Sequence, residues 1–314
     1  MRSVCPVALR SQVVLSGRVR LSDLSATDGL QLSGPISGMC TAPAPNCVLL
    51  VDINNSGSEG RVLRVSLAEK RVEQCLIRVP HTDSIVTDVQ LLSGGTHIAL
   101  ALFRKGKANG YSHIVRLFAE SQLNAWRVAH EFCFDTTSNY INPRLCVSRN
   151  LLLCAAPVLS RRLVALEVTH DSKLVQTGAV QFDSDMCAFT AGNDQLVATA
   201  HADRTVRLWH HVEAAAAARS TFALEECSRV SADTTFGLII SSAEGLLLHP
   251  KSYFDKSMRL CRTDGTRLDV LQPQPQLGQL RIKCGCAVGL NVLAYDEDSK
   301  SLVTFETRGS DAEH

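Results

Sequence analysis

The sequence predicts an all-β chain folded as a ring of small four-stranded antiparallel sheets, and three observations carry that prediction. Apolar, β-branched runs paired across polar or glycine-bearing turns recur along the whole length. Comparable second-strand positions, Val19, Leu63, Val115, Val164, Val206, Leu247 and Val303, follow one another about every 47 residues, within the period of a four-stranded blade. Sustained helical periodicity is scarce. Its best candidate, Val212-Glu213 followed by the alanines Ala214 to Ala218, is too short to hold as an isolated helix and reads as a surface loop or one helical turn.

Seven hairpins can be read in order, at 12–24, 48–67, 97–118, 150–168, 195–209, 237–249 and 291–306. In each, alternation at period two sends one side chain inward and the next outward. The first is read as two short strands around Gly17. Arg2, Arg10, Arg18 and Arg20, set among serines with no acid before Asp23, also have the composition of a mitochondrial transit peptide. The segment 271–279 carries two prolines that would interrupt a central strand, so it reads as the connection between the last two blades. Both ends of the chain are strand-like, and pairing them would remove an open sheet edge. Together these features predict one seven-bladed β-propeller spanning 1–314 as a single domain, with a six-bladed ring and a loose N-terminus as the alternative.

Residues 187–209, CAFTAGNDQLVATAHADRTVRLW, resemble the central part of a WD-repeat β-propeller blade. Residues 81–100 resemble the opening of another, with His81 at the histidine position, and Ile114 to Phe118 repeats the strand pattern of Thr205 to Trp209. Asp203 lies in a tight turn, where its carboxylate can accept local backbone N–H bonds. The resemblance places Thr199 and Trp209 at the hydroxyl and indole positions of a structural hydrogen-bond network. Val180-Gln181-Phe182 occupies the region where the histidine of that blade belongs, so the network is expected to be incomplete. Phe118, Val168 and Glu306 stand in place of tryptophan elsewhere, so closure is expected to depend on apolar packing between blades.

Composition narrows the function. The 314 residues carry a formal charge of +1 and are 20% charged, which argues against a basic nucleic-acid coat and against an acidic disordered chain. No apolar run approaches the ~20 residues of a membrane helix, and no secretory signal is evident. Most of the 12 cysteines sit in apolar stretches, as free thiols in a reducing compartment do, which points to the cytoplasm or nucleus. Cys284-Gly285-Cys286 has no companion pair at zinc-binding spacing and reads as two thiols on one strand face.

No nucleophile elbow, phosphate loop or His-Glu-x-x-His pair is present, and Asp296-Glu297-Asp298 reads as a solvated turn. No catalytic residue, cofactor or metal is therefore expected. The informative charges fall at hairpin turns, which the family resemblance places on a common face. Arg104, Lys105 and Lys107 lie at the third turn, Arg161 and Arg162 at the fourth, and Arg204 at the fifth. Glu244 and the 296–298 acids lie at the sixth and seventh. A basic arc beside an acidic one suits a non-catalytic scaffold or adaptor that docks an acidic or phosphate-bearing segment of another protein subunit in a multi-subunit complex. An RNA-associated accessory subunit of an RNA-processing or tRNA-modification enzyme is the alternative, disfavoured by the neutral charge and a 5% aromatic content. A propeller hydrolase with a channel metal would need a convergent set of acids, and only scattered candidates such as Asp88 and Asn142 are present.

Overall fold

The predicted runs fold as strands throughout. The structure, a computed structural model, describes residues 12–308 except 27–29, 31, 33, 54–57, 82–83, 93–94, 107–109, 122–124, 138–141, 157–159, 193–195, 215–220, 243–244, 253–254, 256, 270 and 278–279. The chain opens with β1 (Gln12–Arg20) and a short β2 (Ser25–Ala26). Blade 1 is β3 (Ile36–Thr41), β4 (Cys47–Ile53), β5 (Glu59–Ser66) and β6 (Arg71–Pro80), with β2 added parallel at its outer edge. Blade 2 is β7 (Ile85–Leu92), β8 (His97–Lys105), β9 (Tyr111–Glu120) and β10 (Trp126–Thr137). Blade 3 is β11 (Arg144–Ser148), β12 (Leu151–Ala155), β13 (Arg162–Val168) and β14 (Leu174–Gln181). Blade 4 is β15 (Met186–Ala191), β16 (Leu196–His201), β17 (Thr205–Ala214) and β18 (Thr221–Ser231). Blade 5 is β19 (Phe236–Ser242), β20 (Gly245–Pro250), β21 (Arg259–Arg262) and the two-residue β22 (Gln272–Pro273). Blade 6 is β23 (Ile282–Val288), β24 (Asn291–Asp296) and β25 (Ser301–Arg308), completed by β1.

The expectation of seven blades is wrong: the ring has six. The 12–24 segment is not a hairpin but contributes β1, paired antiparallel to β25 from Gln12 opposite Arg308 to Arg20 opposite Ser301. Gly17 sits at a register shift, so the glycine read as a turn is a β-bulge within one strand. The N-terminal segment is the outer strand of the last blade, and the two chain ends close the ring as expected. The 237–249 hairpin is also displaced. It is the inner pair β19–β20, and the sequence reading missed the short β21. Val212 to Ala214 end strand β17 rather than entering a helical turn, and the alanines 215–218 lie outside the described residues.

Closure follows from burial on both faces of each sheet. Six apolar clusters fill the six junctions between consecutive blades. At blades 6 and 1, Tyr295 and Leu302 meet Leu50 and Leu63. The clusters around Leu100, Leu152, Trp209, Leu248 and Leu260 fill the other five. A second strand such as β8 is therefore buried on both sides, and Ile98 to Leu102 read as an unbroken apolar run because no position faces water. Full burial of each leucine or isoleucine in it contributes about 1.5–3 kcal/mol. Each inner strand touches the next around the ring, and β23 touches β3. At one such approach Gly38 is obligatory: a Cβ there would lie 2.6 Å from the Cα of Asp88. Among the described residues no helix is long and apolar enough to cross a membrane.

Candidate functional site

In a ring of antiparallel blades, turns alternate between two rims. The turn between second and third strands shares one rim, here the upper face, with every connection between blades. The structure brings part of the expected basic arc to this face. Lys105 ends β8, Arg162 begins β13, and Arg204 sits in the β16–β17 turn, on blades 2, 3 and 4. All three are exposed, and none has an ion pair among the described residues. Arg104 and Arg161 are different. Arg104 lies 3.4 Å from Glu131, which Arg116 also binds, and Arg161 donates to Asp185 at 2.8 Å. Lys107 lies outside the described residues.

The expected acidic arc does not form as read. Glu244 lies outside the described residues. Glu297 is held by Arg281 at 3.2 Å and Lys283 at 2.9 Å. Asp296 turns inward, accepting the Arg281 N–H at 2.9 Å and the Ser299 hydroxyl.

Blade 4 holds a hydrogen-bond network through Trp209, Thr199 and His201, where the sequence leads one to expect no histidine. The Trp209 indole N–H donates to the Thr199 hydroxyl at 2.7 Å, and that hydroxyl lies 2.8 Å from Nε2 of His201. The Ser184 carbonyl can only accept, so Nδ1–H donates to it at 3.3 Å, and the neutral ring's Nε2 then accepts the Thr199 hydroxyl proton. The histidine missing from 180–182 is thus supplied from β16, two residues beyond Thr199 and on the same face. Burial, helped by the Arg207 charge, pushes His201 below its ordinary pKa, so the neutral tautomer persists.

Asp203 does more than cap its turn. It accepts the Thr205 N–H at 3.0 Å and hydroxyl at 2.6 Å, and it holds Arg207 at 2.6 Å. Arg207 is almost wholly buried and also binds Asp183, from the connection entering blade 4. Burial would raise the Asp203 carboxyl, but the two Thr205 bonds and the Arg207 charge outweigh it and lower its pKa. Blade 5 repeats the device. Arg259 lies 3.3 Å from Asp233 and 3.9 Å from Asp255, and Asp255 accepts the Ser257 N–H at 3.0 Å. Sequence reasoning missed both arginines, although the shared spacing Asp-x-Thr-x-Arg and Asp-x-Ser-x-Arg was available to signal them. Each knot ties a turn to the connection entering its blade, and a buried guanidinium with all its partners fixes that geometry.

The inner strands enclose a channel of about 620 Å³. Thiols line much of it: Cys40, Cys146, Cys187, Cys284 and Cys286. Burial pushes Cys40 and Cys284 up to about 12 and raises the other three. Protonated thiols are poor nucleophiles and poor ligands. The charged pair in the wall is Asp88 and Arg144. Asp88 accepts the N–H of Val89 at 2.9 Å and of Leu145 at 3.0 Å. Arg144 donates to the carbonyls of Ser37 at 2.8 Å and Thr87 at 3.4 Å. Blades 1, 2 and 3 are thereby clasped at one point. Desolvation, only partly opposed by Arg144, moves Asp88 up to about 6. Asn142 is exposed at the channel's upper mouth, apart from this pair. Among the described residues no group of three or more His, Cys, Asp or Glu could hold a metal ion.

No protein-family model matches the sequence, and no curated protein matches it. Solved structures do match in fold. A chain of the "Crystal Structure of Mitotic Checkpoint Complex" superposes with a TM-score of 0.52 at 14% identity, over 98% of this chain and 95% of that one. The Cps50 (Swd1) β-propeller domain of Myceliophteria thermophila gives 0.58 at 9% identity, over 94% of this chain and 99% of that one. A glucose dehydrogenase gives 0.61 at 10% identity, over 92% of this chain and 99% of that one. These likenesses are of fold. They show the β-propeller fold, and they include both an enzyme and a chain from a protein complex.

Proposed function

We propose that the chain is a non-catalytic scaffold of the cytoplasm or nucleus, whose upper face docks an acidic or phosphate-bearing segment of another protein. One observation carries this reading. Lys105, Arg162 and Arg204 stand exposed and without ion pairs among the described residues on three successive blades, while Arg104, Arg161, Arg207 and Arg259 on the same face all hold ion pairs. An unpaired arginine offers bidentate geometry to carboxylate or phosphate, and three like charges on a rigid rim steer an anionic partner toward it. The channel supports the non-catalytic reading, since its thiols are held protonated and the Asp88 carboxylate in its wall accepts backbone N–H groups. Structural neighbours include a chain of a mitotic checkpoint complex, which suits a role in assemblies.

The test is affinity capture with the parent chain and with a Lys105→Glu/Arg162→Glu/Arg204→Glu variant, after circular dichroism has shown both folded. Stoichiometric protein partners that are lost from the variant support the reading. Retention of the same partners by the variant refutes the arc. RNA recovered in place of protein, with affinity falling steeply with salt, refutes the protein-docking role.

A further inference from the structure

We propose that a basic pocket at the closure of the ring binds a small molecule carrying two or more phosphate groups. The pocket encloses about 690 Å³ between the upper end of blade 6 and the segment that crosses to blade 1. That volume lies in the range of small-molecule sites. Its cations are Arg18 and Arg20 of β1 and Lys300 of the β24–β25 turn. The alternation of β1 explains the placement. Val19 packs into the cluster between blades 6 and 1, so Arg18 and Arg20 leave the strand together on its other face.

Charge makes the pocket distinct from the rest of the face. Arg18, Arg20 and Lys300 have no ion pair among the described residues. The acid in the lining, Glu297, is occupied by Arg281 and Lys283 outside it. Three cations against one committed carboxylate leave a surplus of positive charge in a chain whose formal charge is only +1. Leu32 and Pro35 form an apolar wall beside the cations. This combination suits a polyphosphate group with an organic part attached. A concavity of this volume favours a free small molecule over a segment of another protein.

The position gives binding a mechanical consequence. Arg18 and Arg20 belong to the first strand, and Lys300 to the turn before the last. Lys300 adopts φ 49°, and its carbonyl accepts the Leu21 N–H at 3.0 Å, which sets the crossing segment beside the turn. A polyanion held by all three cations therefore bridges β1 to the blade it completes. This site is separate from the docking arc on blades 2 to 4.

The experiment measures tripolyphosphate and ADP binding to the full chain by calorimetry, with hydrogen exchange of β1 as a second readout. Arg18→Ala/Arg20→Ala and Lys300→Ala are compared with the Lys105→Glu/Arg162→Glu/Arg204→Glu variant. At least one probe is expected to bind, with added protection of β1. Affinity should fall about tenfold or more on losing each cation, the size of a hydrogen bond to a charged group. It should also weaken with added salt, and it should not change in the arc variant. Failure of both probes to bind the parent chain would overturn the proposal. So would equal binding by the pocket variants, or binding of a phosphoserine peptide in their place. Should the pocket variants fold poorly, the hydrogen-exchange change at β1 on adding probe to the parent chain still decides: no added protection refutes the bridge.

Discussion

Replacing Asp88 by asparagine should change the pH dependence of stability more than stability itself. The carboxyl moves from 3.8 to about 6 on folding, driven by desolvation in the channel wall. At 1.36 kcal/mol per unit, ionising it in the folded state costs about 3 kcal/mol more than in the unfolded chain. The sign follows from the raised value: the folded chain binds this proton more tightly, so the contribution is fully present below pH 4 and is lost as pH rises through 6. Asparagine keeps the shape but has one acceptor oxygen where the carboxylate serves both Val89 and Leu145. It therefore leaves one N–H unsatisfied at every pH, a constant cost of about 1–3 kcal/mol. Denaturant unfolding of both proteins between pH 4 and 7.5 isolates the effect, because the histidines His97, His201 and His249, all lowered by burial, contribute equally to each. The variant should be less stable by about 1–3 kcal/mol at pH 4, and this shortfall should close or reverse by pH 7.5, where the parent carboxyl bears its ionisation cost of about 3 kcal/mol. Parallel profiles would show that Asp88 titrates as an ordinary carboxylate, and the clasp between blades 1, 2 and 3 would lose its physical basis.

Thr199→Val removes the hydroxyl at nearly constant volume and orphans both the Trp209 indole N–H and Nε2 of His201. Unfolding free energy should fall by about 2–5 kcal/mol, with Thr199→Ser losing far less, and equal losses would refute the network. Arg204 holds φ 63°, a left-handed conformation, in its turn. Arg204→Gly should leave the denaturant midpoint equal or slightly higher, since relief of ~1 kcal/mol of strain is partly offset by glycine's freedom in the unfolded chain. Partner capture should weaken nonetheless, and a parallel loss of stability and capture would mean that the side chain acts only through the turn. Gly38→Ala drives a methyl into the Asp88 backbone and should cost about 1–3 kcal/mol by overpacking. An unchanged melting midpoint would show that the inner strands can separate there.

Apolar alternation made the all-β ring legible, and five of the seven hairpins match second and third strands: β4–β5, β8–β9, β12–β13, β16–β17 and β24–β25. Two errors arose from glycine and from length. Gly17 was read as a turn because a bulge and a turn both tolerate it; only pairing with β25, nearly the whole chain away, distinguishes them. Blade 5 was misassigned because β21 has four residues and β22 has two, too few to show periodicity. At the site, charged residues could be placed on turns, but their neutralisation could not be read. Arg104 and Arg161 find Glu131 and Asp185 across sequence gaps of 27 and 24 residues, set by the pairing of strands.

The repeated knots explain why so degenerate a sequence can still close. Blade 4 keeps the indole, hydroxyl and imidazole, while blade 5 keeps only the Asp, Ser and Arg of the second device, at matching positions. The two devices perform one task, which is to fix a turn against the connection entering the blade. Either can drift once the other is present. Blades 6 and 1 use related ties, with Asp296 accepting the Arg281 N–H at 2.9 Å and Asp52 accepting the Gly34 N–H at 3.0 Å, and the seam between them adds apolar packing and the pairing of β1 with β25. That seam carries Arg18, Arg20 and Lys300, which have no ion pair among the described residues, so a bound anion would add a tie between β1 and the β24–β25 turn.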